Sequence, residues 1–213
     1  MLLFTPEACG PRDPLDVLGR TLDSIDVIQI RPKALGASAP GAARETFDWC
    51  TRVLDLLAAR GAARIPVIVN DRVDVAEALR ERGCAGVHLG QDDCPVDVAR
   101  RRLGPEPLVG LSTHDLSQVA EASEQAVDYL GFGPIHGTST RGYAVGLGPE
   151  PAWIARAATA LPIFAIGGID ATNIGELSRI GRAVVGSAIL CADDPSRAAR
   201  ELRALLLGEG PGT

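Results

Sequence analysis

Five short segments gather the residues of this chain that could do chemistry: Gln29-Ile30-Arg31-Pro32-Lys33, Asn70-Asp71, Gly90-Gln91-Asp92-Asp93, Thr138-Ser139-Thr140-Arg141 and Gly167-Gly168. Each closes an apolar, β-rich run. Alternation along an extended chain sends Gln29, Arg31 and Lys33 to one side. If that side is enclosed, two cations are forced together, which is costly unless an anion neutralises them. The plainer reading is a strand end with solvated basic residues. Asp71 with Asp92 or Asp93 can share one hard cation, because magnesium prefers one or two carboxylates completed by phosphate oxygens and water. Asp71 could instead cap a helix, and Asp93, just before Pro95, could do the same. Thr138 and Thr140 with Arg141 form an anion cradle, for which a generic flexible loop is the alternative. Together these are the groups that a magnesium-bound diphosphate and a second phosphate require.

Other residues add to the pattern. Ser112, in Gly110-Leu111-Ser112-Thr113-His114, could donate to a phosphate oxygen. His114 could act as acid or base through its near-neutral pKa, or be a polar residue at a helix start. His88 lies inside an apolar run and reads as a barrel histidine with its hydrogen bonds satisfied; the role of His136 is open. Gly168, Gly186 and Ser187 close the last two apolar runs, where loops of some barrels aim backbone N–H groups at a phosphate.

These residues need a scaffold that brings them together. The apolar runs predict strands over 2–5, 27–31, 66–70, 86–90, 108–112, 129–133, 163–167 and 183–187. Most are continuous in Val, Ile and Leu, as in parallel strands buried on both faces. Helical spacing predicts helices over 42–60, 73–82, 96–103, 115–125, 151–160, 171–180 and 195–207. The alternation fits an α/β fold, a single (β/α)8 TIM barrel, with an open doubly wound sheet as the alternative. In such a barrel every cluster named above falls at the C-terminal ends of the strands. We expect one domain over 1–207, a tail over 208–213, and a loop of small residues over 36–41 that could serve as a lid.

Composition excludes several classes. The 213 residues suit one domain, and 46% hydrophobic against 23% charged residues argues against disorder. A net charge of −6 and 4% aromatics argue against nucleic acid or an anionic membrane as the main partner. Five cysteines, an odd number with no C-x-x-C pair, argue against a disulfide framework and for a reduced, cytoplasmic protein. No apolar run is long enough for a membrane span, and Met1-Leu2-Leu3-Phe4 lacks the basic flank of a signal peptide.

In this order, Q-x-R-x-K (Gln29 to Lys33), N-D (Asn70, Asp71), G-V-H-L-G-Q-x-D (Gly86 to Asp93), T-x-T followed by a cation (Thr138 to Arg141) and A-I-G-G-I (Ala165 to Ile169) resemble the thiamine phosphate synthase family, which includes thiazole tautomerase. The resemblance spans nearly the whole chain. It implies a transferase that joins hydroxymethylpyrimidine diphosphate to a thiazole phosphate, carboxylated or not, by a dissociative mechanism that releases diphosphate. It implies that Gln29, Arg31, Lys33, Asn70, Ser112 and Arg141 hold the pyrimidine diphosphate, and that Lys33, Arg31, Ser112 and Arg141 aid its departure. It further implies Asp71 and Asp93 as ligands of Mg²⁺, with Asp92 competing, and Thr138, Ser139, Thr140, Gly168, Gly186 and Ser187 as the thiazole-phosphate site. Its partners would be these small molecules, with homo-oligomerisation left open. A tautomerase using His114, or a non-catalytic phosphate-binding barrel, are the alternatives. The chain departs from the family in having Arg141 for a lysine, Gly137 for a proline, Gly186 for a larger apolar residue, an extra turn through Glu81-Arg82-Gly83, and Phe4-Thr5-Pro6 for I-T-D.

Overall fold

The computed structural model describes residues 1–33, 39, 41–137 and 145–209. Eight strands pair in sequence order, all parallel: β1 (Leu2–Phe4), β2 (Ile28–Ile30), β3 (Val67–Asn70), β4 (Cys84–Leu89), β5 (Leu108–Thr113), β6 (Tyr129–Phe132), β7 (Ile163–Ile166) and β8 (Ala183–Val184). The sheet closes on itself. Leu3 N–H donates to Val185 O at 2.8 Å and Val185 N–H to Met1 O at 3.1 Å, so β8 meets β1. The open-sheet alternative is thereby removed.

Strand alternation sorts the residues into two layers. Leu2, Phe4, Ile28, Ile30, Val67 and Val69 belong to the apolar cluster between barrel and helices. Leu3, Gln29, His88 and Ser112, on the other phase, line the interior. Parallel strands buried on both faces explain the unbroken apolar runs.

The helices are α1 (Pro14–Gly19), α2 (Ala42–Ala59), α3 (Val73–Ala78), α4 (Val96–Leu103), α5 (Leu116–Ser123), α6 (Glu150–Ala158), α7 (Ser187–Leu190) and α8 (Pro195–Leu207). Asp115 starts α5 by accepting the Gln118 N–H at 2.8 Å, and Asp194 starts α8 by accepting that of Arg197 at 3.2 Å. At the barrel's other end, Asp128 accepts from Arg100 and from Val109 N–H, both at 2.7 Å, which ties α4, β5 and β6 together.

Three expectations need correction. The helix expected over 171–180 is a 3₁₀ turn, Ile174–Leu177. Upstream of it, Asp170 accepts the Thr172 N–H at 2.8 Å and Asn173 accepts the Asp170 N–H at 3.0 Å, so side chains take backbone donors a full helix start would use otherwise. The helix expected over 73–82 is α3 followed by a 3₁₀ turn, Arg80–Arg82, closed by Gly83 at φ 101°; this is the extra turn noted in the sequence. Finally, β4 starts at Cys84, two residues before the expected strand.

Candidate active site

The C-terminal ends of the strands surround a cavity of about 160 Å³. A single water needs roughly 10–15 Å³ on such a measure, so the space suits an organic ligand rather than a lone ion. Gln29, Arg31 and Lys33 all line it, followed on the next strand by Asn70. Gln29 is 2% exposed, and its buried Nε2 has no hydrogen-bond partner among the described residues. A buried amide donor of this kind is costly unless an acceptor arrives. The interior phase of β2 therefore presents one unsatisfied donor and two half-buried cations to the same space.

Asp71 and Asp93 stand on the rim beside the cavity rather than in its lining. Asp71 follows β3 directly and takes φ 62°, the only non-glycine residue in the left-handed region among those described. Its N–H donates to His88 O at 2.8 Å, which extends the β3–β4 ladder through that unusual conformation. Such a backbone persists where surrounding contacts enforce it, often at functional sites. Asp71 does not cap α3, whose N-cap is Arg72 with no side-chain hydrogen bond. Nor does Asp93 cap α4, whose N-cap is Pro95. Asp93 Oδ2 instead turns back to accept the Gly90 N–H at 2.7 Å. Asp92 is exposed. The donor set at this rim, hard carboxylate oxygens on the ends of neighbouring strands, fits a magnesium ion completed by ligand phosphate.

Ser112 enters the cavity from β5 and is held from two sides. Gln91 Nε2 donates to Ser112 O at 2.6 Å, and His88 Nε2 lies 2.9 Å from Ser112 Oγ. His88 is 6% exposed, and its Nδ1 meets the Tyr129 hydroxyl at 3.0 Å. Both ring nitrogens are thus engaged, in line with its sequence reading. Two glycines make the arrangement possible. A Cβ at Gly110, the register neighbour of His88 and Tyr129, would lie 2.1 Å from the Tyr129 ring, and one at Gly131 would lie 3.2 Å from His88. Gln91 and Tyr129 were not foreseen as part of the site; the G-Q-x-D motif was the available signal for the first. His114 also lines the cavity, with Nδ1 2.5 Å from Gly133 O. Only an N–H can face a carbonyl, so Nδ1 carries the hydrogen. His136 Nε2 lies 3.7 Å from a Glu176 carboxylate oxygen.

A further part of the wall comes from the ends of β7 and β8. Gly168, Gly186 and Ser187 line it. Gly168 sits at φ 58°, and a Cβ there would lie 2.4 Å from Gly137 O, so only glycine lets the two loops touch. Gly186 has no such need, since a Cβ would meet Leu3 O at 3.4 Å; its missing side chain simply leaves cavity room. Arg12 braces this wall. Its guanidinium donates to Cys9 O at 3.2 Å, to Ala192 O at 2.5 Å and to Leu190 O, joining the turn after β1 to the segment after β8. Thr138, Ser139, Thr140 and Arg141 lie outside the described residues, as does most of the loop over 36–41.

A closed parallel barrel with polar residues and cations converging on its C-terminal mouth defines an enzyme of the (β/α)8 class. The profile of the thiamine monophosphate synthase family matches residues 1–189, and the chain belongs to that family. A protein of Parasynechococcus marenigrum named thiamine-phosphate synthase is 45% identical over 138 residues, 64% of this chain and 39% of its own length. One of the same name from Albidiferax ferrireducens is 39% identical over 211 residues, 97% of this chain and 91% of its own. A thiamine phosphate pyrophosphorylase structure from Pyrococcus furiosus superposes with a TM-score of 0.79 at 29% identity, covering 99% of this chain and 96% of that one.

Proposed function

We propose that this chain is a thiamine phosphate synthase, a transferase that condenses hydroxymethylpyrimidine diphosphate with a thiazole phosphate, plain or carboxylated, and releases diphosphate. One observation carries the reading: Gln29, Arg31, Lys33, Asn70 and Ser112 share one cavity with Gly168, Gly186 and Ser187 in a chain of this family.

The first five of these residues would take the pyrimidine diphosphate. Gln29 Nε2 gains the acceptor it lacks, and Asn70 and Ser112 add polar contacts. Arg31 and Lys33 neutralise charge that grows on the leaving oxygens as the methylene–oxygen bond breaks, the bonding pair departing with the diphosphate. The carbocation left on the methylene is delocalised into the pyrimidine, and the thiazole nitrogen attacks it. A carboxylated thiazole also loses CO2. Gly168, Gly186 and Ser187, with Thr138, Ser139 and Thr140, would hold the thiazole phosphate and aim that nitrogen; Arg141 would reach the diphosphate. Leu3, Ile166, Ile169, Val184 and Leu190 give the cavity apolar sides that limit capture of the carbocation by water. A magnesium ion held by Asp71 and Asp93 would supply further charge neutralisation at the departing diphosphate. No covalent nucleophile is required, and the five thiols are free, which suits a cytoplasmic enzyme. No helix of the described residues is long and apolar enough to cross a membrane. The tautomerase alternative would use His114 but has no role for Arg31, Lys33 and the rim carboxylates.

The test is an assay of the purified chain with both substrates, with and without magnesium. Thiamine phosphate is expected only when both substrates and the metal are present. Isomerisation of a thiazole phosphate without condensation, or binding of both substrates without turnover, would overturn the reading.

A further inference from the structure

The chain of contacts Tyr129–His88–Ser112 has two possible polarities. In one, the Tyr129 hydroxyl donates to His88 Nδ1, and His88 Nε2–H donates to Ser112 Oγ. In the other, Nδ1–H donates to the Tyr129 oxygen and the Ser112 hydroxyl donates to Nε2. The distances, 3.0 and 2.9 Å, fit both. The surroundings do not. Tyr129 is 5% exposed, and its hydroxyl has no hydrogen-bond partner other than His88 among the described residues. The second polarity would bury the Tyr129 hydroxyl proton with no acceptor, an unmade bond in the barrel interior. The first satisfies the Tyr129 and His88 donors and leaves over only the Ser112 hydroxyl proton, which faces the cavity where an acceptor can enter. Burial pushes the Tyr129 phenol well above its ordinary pKa, so it keeps the proton it must donate. An imidazolium, with both nitrogens donating, would leave the Tyr129 hydroxyl proton equally without an acceptor.

We propose that the Tyr129 hydroxyl holds His88 as the Nε2–H tautomer, and that His88, by donating to Ser112 Oγ, turns the Ser112 hydroxyl proton into the cavity as a donor to an anionic ligand. His88 and Tyr129 are then positioning residues that act through Ser112. Their geometry depends on glycine at 110 and 131, since side chains there would occupy the space of the two rings. The assignment of the tautomer stands on geometry alone; its consequence for the ligand rests on the synthase reading above.

The experiment is ¹⁵N–¹H correlation spectroscopy of histidine-labelled protein, which is tractable because the chain has 3 histidines. His88 is identified by loss of its signals in His88→Gln. The expected wild-type pattern is a protonated Nε2 and an unprotonated Nδ1; a protonated Nδ1 overturns the proposal. The second arm measures binding of inorganic pyrophosphate with magnesium. Tyr129→Phe is expected to bind it roughly tenfold more weakly, the loss of one hydrogen bond to a charged group. In the Ser112→Ala background the same change should have almost no effect, because the path runs through Ser112. Equal losses in both backgrounds would mean a purely structural role and overturn the proposal. A wild type with the expected tautomer but no thiamine phosphate formation would uphold the tautomer and contradict the synthase reading.

Discussion

Lys33→Ala is expected to slow single-turnover formation of thiamine phosphate by about 10²–10³-fold, the usual loss for one preorganised donor aimed at developing charge. Binding of the thiazole phosphate should change little. The reason is position. Lys33 shares the interior phase of β2 and its extension with Gln29 and Arg31, and it lines the same cavity as Gly168 and Ser187. On the proposed reading its charge would meet the diphosphate, where negative charge grows as the methylene–oxygen bond lengthens, so the chemical step should suffer more than ground-state binding. Rapid-quench measurement with enzyme in excess reads that step without product release. An unchanged rate would remove Lys33 from the leaving-group site.

Removal of either rim carboxylate should be as severe. Asp71→Asn and Asp93→Asn are each expected to abolish magnesium-dependent turnover, a loss of several kcal/mol of charge stabilisation, while thermal unfolding stays close to that of the wild type. Asparagine is the informative replacement. At Asp71 the backbone is left-handed, φ 62°, a conformation asparagine tolerates and alanine resists. At Asp93 the side-chain oxygen must still accept the Gly90 N–H. Each variant thus removes charge and keeps shape. Asp92→Asn should be mild: both Asp92 and Asp93 are exposed, but it is the Asp93 carboxylate that the Gly90 N–H holds in place. Near-normal turnover in both variants would contradict a metal at this rim; loss in Asp92→Asn alone would move the ligand to Asp92.

The barrel was legible because its strands carry a strong local signal. Runs such as Val67-Ile68-Val69 have no polar alternation, and eight of them separated by helical stretches leave few topologies. The grouping of Gln29, Arg31 and Lys33 on one wall followed from the two-residue period of a strand and its extended exit. Ends and exceptions were less legible. Gly86 looked like a strand start, yet it sits inside β4, where a Cβ would lie 1.9 Å from Leu108 O and only glycine allows the approach of β5. Thr172, Asn173 and Glu176 read as helix, but side chains of Asp170 and Asn173 engage backbone N–H groups and leave one 3₁₀ turn. The left-handed backbone of Asp71 has no signature in composition, because it is set by the bond from its N–H to His88 O on the neighbouring strand. Tyr129, 41 residues from His88 and apparently a plain strand residue, becomes part of the site only through the register of β4, β5 and β6. Small residues opposite large ones, Gly110 beside Tyr129, are the interior's volume rule, visible only once the register is known.

The most direct test of the whole account counts products. With pyrimidine diphosphate, thiazole phosphate and magnesium, the wild-type chain should release one diphosphate for each thiamine phosphate formed, and neither product should accumulate at an appreciable rate when either substrate is left out. Saturable binding of both substrates with no diphosphate released would contradict it.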